Sequence, residues 1–105
     1  MKKYKVTLTA EHCLYVRKWI EGTLSEDVNI RANTASLITV AALAEVALVL
    51  RKKEVVYSRQ YKITLSPVQA FALCFLYETL PEDRTNHFIN RMMQINNEIL
   101  QTYSI

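Results

Sequence analysis

The sequence predicts a mostly helical α+β protein in which a two-stranded antiparallel ribbon packs on about four helices, arranged as a twofold pseudo-repeat of strand, helix and helix. Three observations lead there. Tyr4-Lys5-Val6-Thr7-Leu8-Thr9 returns as Tyr61-Lys62-Ile63-Thr64-Leu65-Ser66. Each copy alternates apolar and polar residues as a half-buried strand requires. Each copy then runs into a helical pattern that is followed, after a break, by a second one. Residues 3–53 and 54–105 therefore read as equivalent halves of one domain spanning residues 1–105. At an offset of 57, residues 4–21 and 61–78 share five identities, the last being Glu21 with Glu78. The second helices show little residue similarity, so the equivalence rests on element order.

In the first strand Tyr4, Val6 and Leu8 take the core side, opposite Lys3, Lys5 and Thr7. Thr9 is suited to cap a helix over residues 10–21, with Glu11 favourably placed in its first turn. Cys13, Val16, Trp19 and Ile20 share the buried face of that helix; Glu11, Arg17, Lys18 and Glu21 face water. Gly22, the only glycine, suits a left-handed residue after the last turn, which ends the helix there. Residues 23–35 are polar and read as a loop, with room for a short turn of helix.

The second helix starts near Thr34 or Ser36 and runs to about residue 53. Its alanines and leucines favour helix despite several β-branched residues. It is apolar on nearly every side except at Glu45, which falls on an exposed edge with Ala41, Ala42 and Lys52. Alternation resumes over residues 54–65, with Val55, Tyr57, Tyr61, Ile63 and Leu65 on one face. One long strand, or a turn near Ser58 followed by a shorter strand, fits that pattern. Ser66-Pro67-Val68-Gln69 is the sharpest local signal: a capping serine, a proline suited to the first helical position, and a glutamine where a capping-box partner belongs.

The third helix, residues 67–80, is so apolar that one monomer of this size has difficulty covering it, which makes Phe71, Phe75 and Tyr77 candidates for self-association. Leu80-Pro81 ends it, and Asp83 is placed to cap a last helix over residues 84–102, with Glu82-Asp83 at its electropositive end. Phe88, Ile89, Met92, Ile95, Ile99 and Leu100 form the apolar stripe of that helix, and Asn86, Asn90, Arg91, Gln94, Asn97 and Glu98 its wet side.

Composition bounds the chemistry. A single glycine leaves no phosphate-cradling loop. His12 and His87 are far apart in sequence, and no Cys-x-x-Cys or His-x-x-x-His pair exists, which argues against zinc. Neither Cys13 nor Cys74 has a histidine suitably spaced to activate it. The chain is expected to be non-enzymatic and to need no cofactor or metal. Two cysteines inside helical patterns read as buried free thiols of a cytoplasmic protein. Residues 1–5 are basic but lead into a strand, not into the apolar run of a signal peptide. The 14-residue apolar segment 37–50 is short of the roughly 20 residues that span a bilayer, so no membrane partner is expected.

Net charge is +3, and the excess falls in residues 1–58, with nine Lys/Arg against six Asp/Glu. Lys3, Lys5 and Thr7 of the first strand would lie beside Gln60, Lys62 and Thr64 of the second, with Arg51, Lys52 and Lys53 as a further basic cluster. A two-stranded ribbon fits a DNA major groove, where such side chains reach base edges and phosphates. This strand–helix–helix order with paired strands resembles the ribbon-helix-helix DNA-binding architecture, here within one chain. That resemblance implies duplex DNA as a partner. It is topological, and the loop at 23–35 and the oiliness of the third helix depart from it. The leading expectation is a protein that works by protein–protein contact as a homodimer, with DNA binding as the alternative. A small-molecule pocket among Trp19, Tyr57, Phe71 and Tyr77 is a third reading.

Overall fold

The computed structural model describes residues 2–26, 34–78 and 86–104. Along the chain these form β1 (Tyr4–Thr9), α1 (Ala10–Glu26), α2 (Thr34–Glu54), β2 (Gln60–Leu65), α3 (Pro67–Glu78) and α4 (His87–Thr102). The mostly helical α+β class follows directly. β1 and β2 form an antiparallel ribbon in which Tyr4 lies opposite Leu65, Val6 opposite Ile63 and Leu8 opposite Tyr61. These six side chains are all buried. Because side chains alternate along a strand, their neighbours are left on the outer, wet face. An isolated two-stranded ribbon is marginal in water, so the helices beneath it hold it in place.

The helices pack in chain order, α1 on α2, α2 on α3 and α3 on α4, and α4 returns to lie against β1. Ile20, Leu43, Leu50, Ile63, Leu65, Leu76, Ile95 and Ile99 are the largest fully buried side chains, so every helix and the ribbon feed one core. Tyr4 fastens α4 to β1 by donating its hydroxyl to Glu98 at 2.7 Å. Tyr103 does the same at the C-terminal end of α4, donating to the Lys2 carbonyl at 2.8 Å.

Local signals decide the helix starts. Thr9 Oγ1 accepts the backbone N–H of His12 at 3.2 Å, capping α1 as expected. Ser66 and Gln69 close a reciprocal capping box: Ser66 N–H donates to Gln69 Oε1 at 3.0 Å, and Gln69 N–H donates to Ser66 Oγ at 3.2 Å. At α4 the cap is Asn86, whose side chain accepts from the N–H groups of Phe88 and Ile89. The start expected at residue 84 is therefore moved, and Leu80-Pro81 and Glu82-Asp83 lie outside the described residues.

Several expectations are corrected. α1 does not stop at Gly22 but continues to Glu26, and Gly22 has no positive φ. Helical hydrogen bonding continues through the glycine, at a conformational-entropy cost. The polar segment 23–35 is accordingly helix at its first residues and again from Thr34. Of the two readings of residues 54–65, the turn near Ser58 followed by a shorter strand holds, and the single long strand does not. α2 runs on to Glu54, and Val55, Val56 and Tyr57 stand exposed in the turn before β2. Ala42 is buried, not at the wet edge, whereas Glu45 is exposed and accepts from Gln69 Nε2 at 3.2 Å. Arg17 is largely buried in an ion pair with Glu54. Trp19 is half-buried and packs on the margin of the core, and Leu100 is exposed.

Candidate functional site

The outer face of the ribbon gathers the residues singled out in the two strands. Lys5 lies opposite Thr64, Thr7 opposite Lys62 and Thr9 opposite Gln60, and all six are exposed, as is Lys3 just before β1. This register sets Lys5 and Lys62 on a diagonal, with a threonine directly across from each, so the two cations share a face without being paired head-on. Arg91 reaches over from α4 to donate to the Thr7 carbonyl at 3.0 Å, adding a guanidinium at the rim. A shallow depression at one end is lined by Thr7, Thr9, Ser58, Arg59, Gln60 and Lys62. At the other end Lys2, Lys3 and Lys5 border a hollow with Glu98 on its α4 side, so that end carries an acid as well as cations.

The other basic cluster is placed differently. Arg51, Lys52 and Lys53 form the last turn of α2, where positive charge complements the helix C-terminus. Arg51 is committed to Glu21, with Nη2 at 2.6 Å from Oε2. Glu21 also accepts from Arg17 at 2.7 Å, and Arg17 bridges onward to Glu54 at 3.0 Å. This cluster thus ties α1 to α2 through a chain of alternating charges, with Lys52 and Lys53 exposed beside it.

The apolar candidates divide. Val68, Phe71 and Phe75 lie at helical spacing on one face of α3 and are about half exposed, at 52%, 46% and 49%. The Phe71 ring lies 5.2 Å from that of Tyr103, the residue just past the end of α4, so the face continues onto that helix end. Tyr77 is half-buried against the core and lies off that face. The pocket imagined among four aromatics does not assemble. Tyr57 is exposed in the turn after α2, Trp19 packs near Tyr15 and Phe71 near Tyr103. Between ribbon and helices there is a void of only about 10 Å³, scarcely room for one water.

The nucleophile candidates are held in structural roles. Cys13 is fully buried and its thiol donates to Glu54 Oε1 at 3.4 Å. Burial, reinforced by the Glu54 carboxylate, pushes that thiol up to about 12. Burial likewise raises Cys74. Among the described residues, no three His, Cys, Asp or Glu side chains are grouped to hold a metal ion.

One relationship escaped sequence reasoning. His12 and His87, 75 positions apart, have ring centroids 5.0 Å apart. His12 is buried, its Nδ1 lies 2.7 Å from Thr9 Oγ1, and its Nε2 has no partner among the described residues. Burial, with His87 and then Arg91 nearby, lowers its pKa. The spacing Thr9-x-x-His12 was the available signal, since it sets a side chain at the third helical position beneath a capping hydroxyl.

Among the described residues no helix is long and apolar enough to cross a membrane. Compared with protein-family models, curated proteins and solved structures, the chain matches none of them.

Proposed function

We propose that the protein is a non-catalytic interaction module that pairs with a second copy of itself through the α3 face bearing Phe71 and Phe75. The observation behind this reading is that two phenylalanines on one helical face are nearly half exposed, beside Val68 and the ring of Tyr103. A non-catalytic role is supported by the engagement of its reactive side chains: Cys13 is held protonated, Glu54 is ion-paired and His12 is buried. Two free buried thiols fit a reducing compartment such as the cytoplasm. Light scattering across a concentration series tests the pairing. A dimer that becomes monomeric in the Phe71→Ser/Phe75→Ser variant is expected; a strict monomer at high concentration overturns the reading.

A second reading is favoured by a separate observation, the assembly of Lys3, Lys5, Thr7, Gln60, Lys62 and Thr64 on one exposed face. That face would bind duplex DNA, with Lys5 and Lys62 on phosphates and Gln60 near base edges. Affinity in a gel-shift titration should fall steeply with salt and weaken further in Lys5→Ala/Lys62→Ala. No retention at low salt overturns it.

The ribbon register also supports descent of the two halves from one unit. Val6 and Ile63, equivalent at the offset of 57, face each other. About that central pair the remaining pairs exchange, Tyr4–Leu65 with Leu8–Tyr61 and Lys5–Thr64 with Thr7–Lys62. A pseudo-twofold axis through Val6 and Ile63 requires this pattern.

A further inference from the structure

We propose that His12 and His87 form a proton-sensitive latch that fastens the first turn of α4 to the β1–α1 junction and loosens it on acidification. Thr9, the last residue of β1, anchors the His12 ring in place through its hydroxyl. With Nδ1–H donating to Thr9 Oγ1, the bare Nε2 lone pair is the least costly group to leave buried without a partner. A proton at Nε2 creates a buried cation whose new N–H has no acceptor among the described residues.

The surroundings of the ring oppose that proton from more than one side. From α4 comes the His87 ring at 5.0 Å, while the apolar Phe88 ring, steeply inclined at 4.9 Å, offers no acceptor for the new N–H. Arg91, one turn further on, adds a permanent positive charge, and β1 supplies only the neutral hydroxyl of Thr9. Among the described residues, Glu11, on the same helix, is the one group acting in the other direction, and it is exposed. His87 is the first helical residue of α4, where a positive charge meets the positive end of the helix dipole. Charging the His12 ring therefore puts a cation 5.0 Å from the His87 ring and near Arg91, at the electropositive end of α4.

Besides the buried side chains of Ile89 and Met92, two contacts among the described residues hold this end of α4. Tyr15 stacks on Phe88 at 4.5 Å and Asn86 caps the helix, while the Tyr4 and Tyr103 hydrogen bonds lie at the C-terminal half. Loosening therefore begins at residues 86–91 and frees the edge of β1 that Arg91 now occupies.

The unfolded chain takes up a proton at the ordinary histidine value, near pH 6.5, whereas folded His12 resists it. The contribution of His12 to stability is thus intact above about pH 6.5 and declines below it, by up to about tenfold in the unfolding constant per pH unit. It levels off once the folded ring is itself protonated.

The test combines histidine titration by NMR, denaturant unfolding, and amide exchange corrected for its intrinsic pH dependence, between pH 7.5 and 5. His12 should titrate below the ordinary value, and residues 88–92 should lose protection on acidification before the ribbon does. His12→Phe should flatten the pH dependence of unfolding. If that variant does not fold, His87→Asn, at an exposed ring, should raise the His12 midpoint and shrink the pH step. Equal loss of protection throughout the chain, or an unchanged pH step in His87→Asn, overturns the latch.

Discussion

Val6 and Ile63 face each other at the centre of the ribbon, and both side chains point into the helices. Ile63 is 1% exposed, so nothing beside it is free to solvate a polar replacement. Truncation to Ala removes packing from both strands and from the core beneath, at a cost of about 2–5 kcal/mol. Ile63→Asp adds an unpaired buried charge and should abolish the cooperative transition, because the whole stability of a domain this size is about 5–15 kcal/mol. Circular dichroism melts of the wild type, Ile63→Ala and Ile63→Asp check the order. A melt unchanged in the aspartate variant would remove the ribbon from the core.

Arg17 and Glu54 join the middle of α1 to the last residue of α2 at 3.0 Å, with side chains only 13% and 20% exposed. Surface pairs contribute little, but a pair this far from water leaves its survivor poorly solvated when one member is lost. Arg17→Met/Glu54→Gln should therefore cost less than the sum of the two single variants. The coupling energy should be about 1–3 kcal/mol and nearly insensitive to salt. Urea unfolding of the four proteins of the cycle, at low and high ionic strength, measures both quantities.

Cys13 should be chemically silent while the protein is folded. With its thiol pushed up to about 12 and no exposed surface, thiolate at pH 8 is about one part in ten thousand. Alkylation should wait for opening, at a rate that is the opening equilibrium multiplied by the reaction rate of the freed thiol, and so should rise steeply with urea. Mass spectrometry after iodoacetamide pulses in increasing urea checks this. Rapid labelling of Cys13 under native conditions would refute the burial that ties α1 to α2 at this point.

What was legible in the sequence was what is decided within a few residues. Period-two alternation located β1, and the reciprocal reach of Ser66 and Gln69 announced α3 before any tertiary contact was considered. The outer ribbon face was legible for the same reason, since pairing two alternating strands leaves Lys5 and Lys62 no other side. Contacts formed by distant segments were not. The meeting of His12 with His87 depends on how α4 returns to α1, and the burial of Arg17 depends on how the end of α2 at Glu54 packs beside α1. Alternation also misled at Val55 and Tyr57, where the end of α2 and a turn carry an apolar spacing that never enters the sheet. The end of α1 failed on one residue, because glycine permits a helix stop without compelling one.

That residue supplies the last prediction. Gly22 lies inside α1, has no positive φ, and an added Cβ would meet nothing within 4 Å. A glycine with helical dihedrals and open space loses more backbone freedom on folding than alanine, without a steric reason for its presence. Gly22→Ala should therefore stabilise the protein by about 0.5–1 kcal/mol. In a chain of this length that is about 2–6 °C in Tm. The denaturant m value should stay constant, since the change acts through the unfolded chain and the helix, not through the surface buried. A fall in Tm would mean that α1 needs a break at Gly22, and would restore the shorter helix that the glycine first suggested.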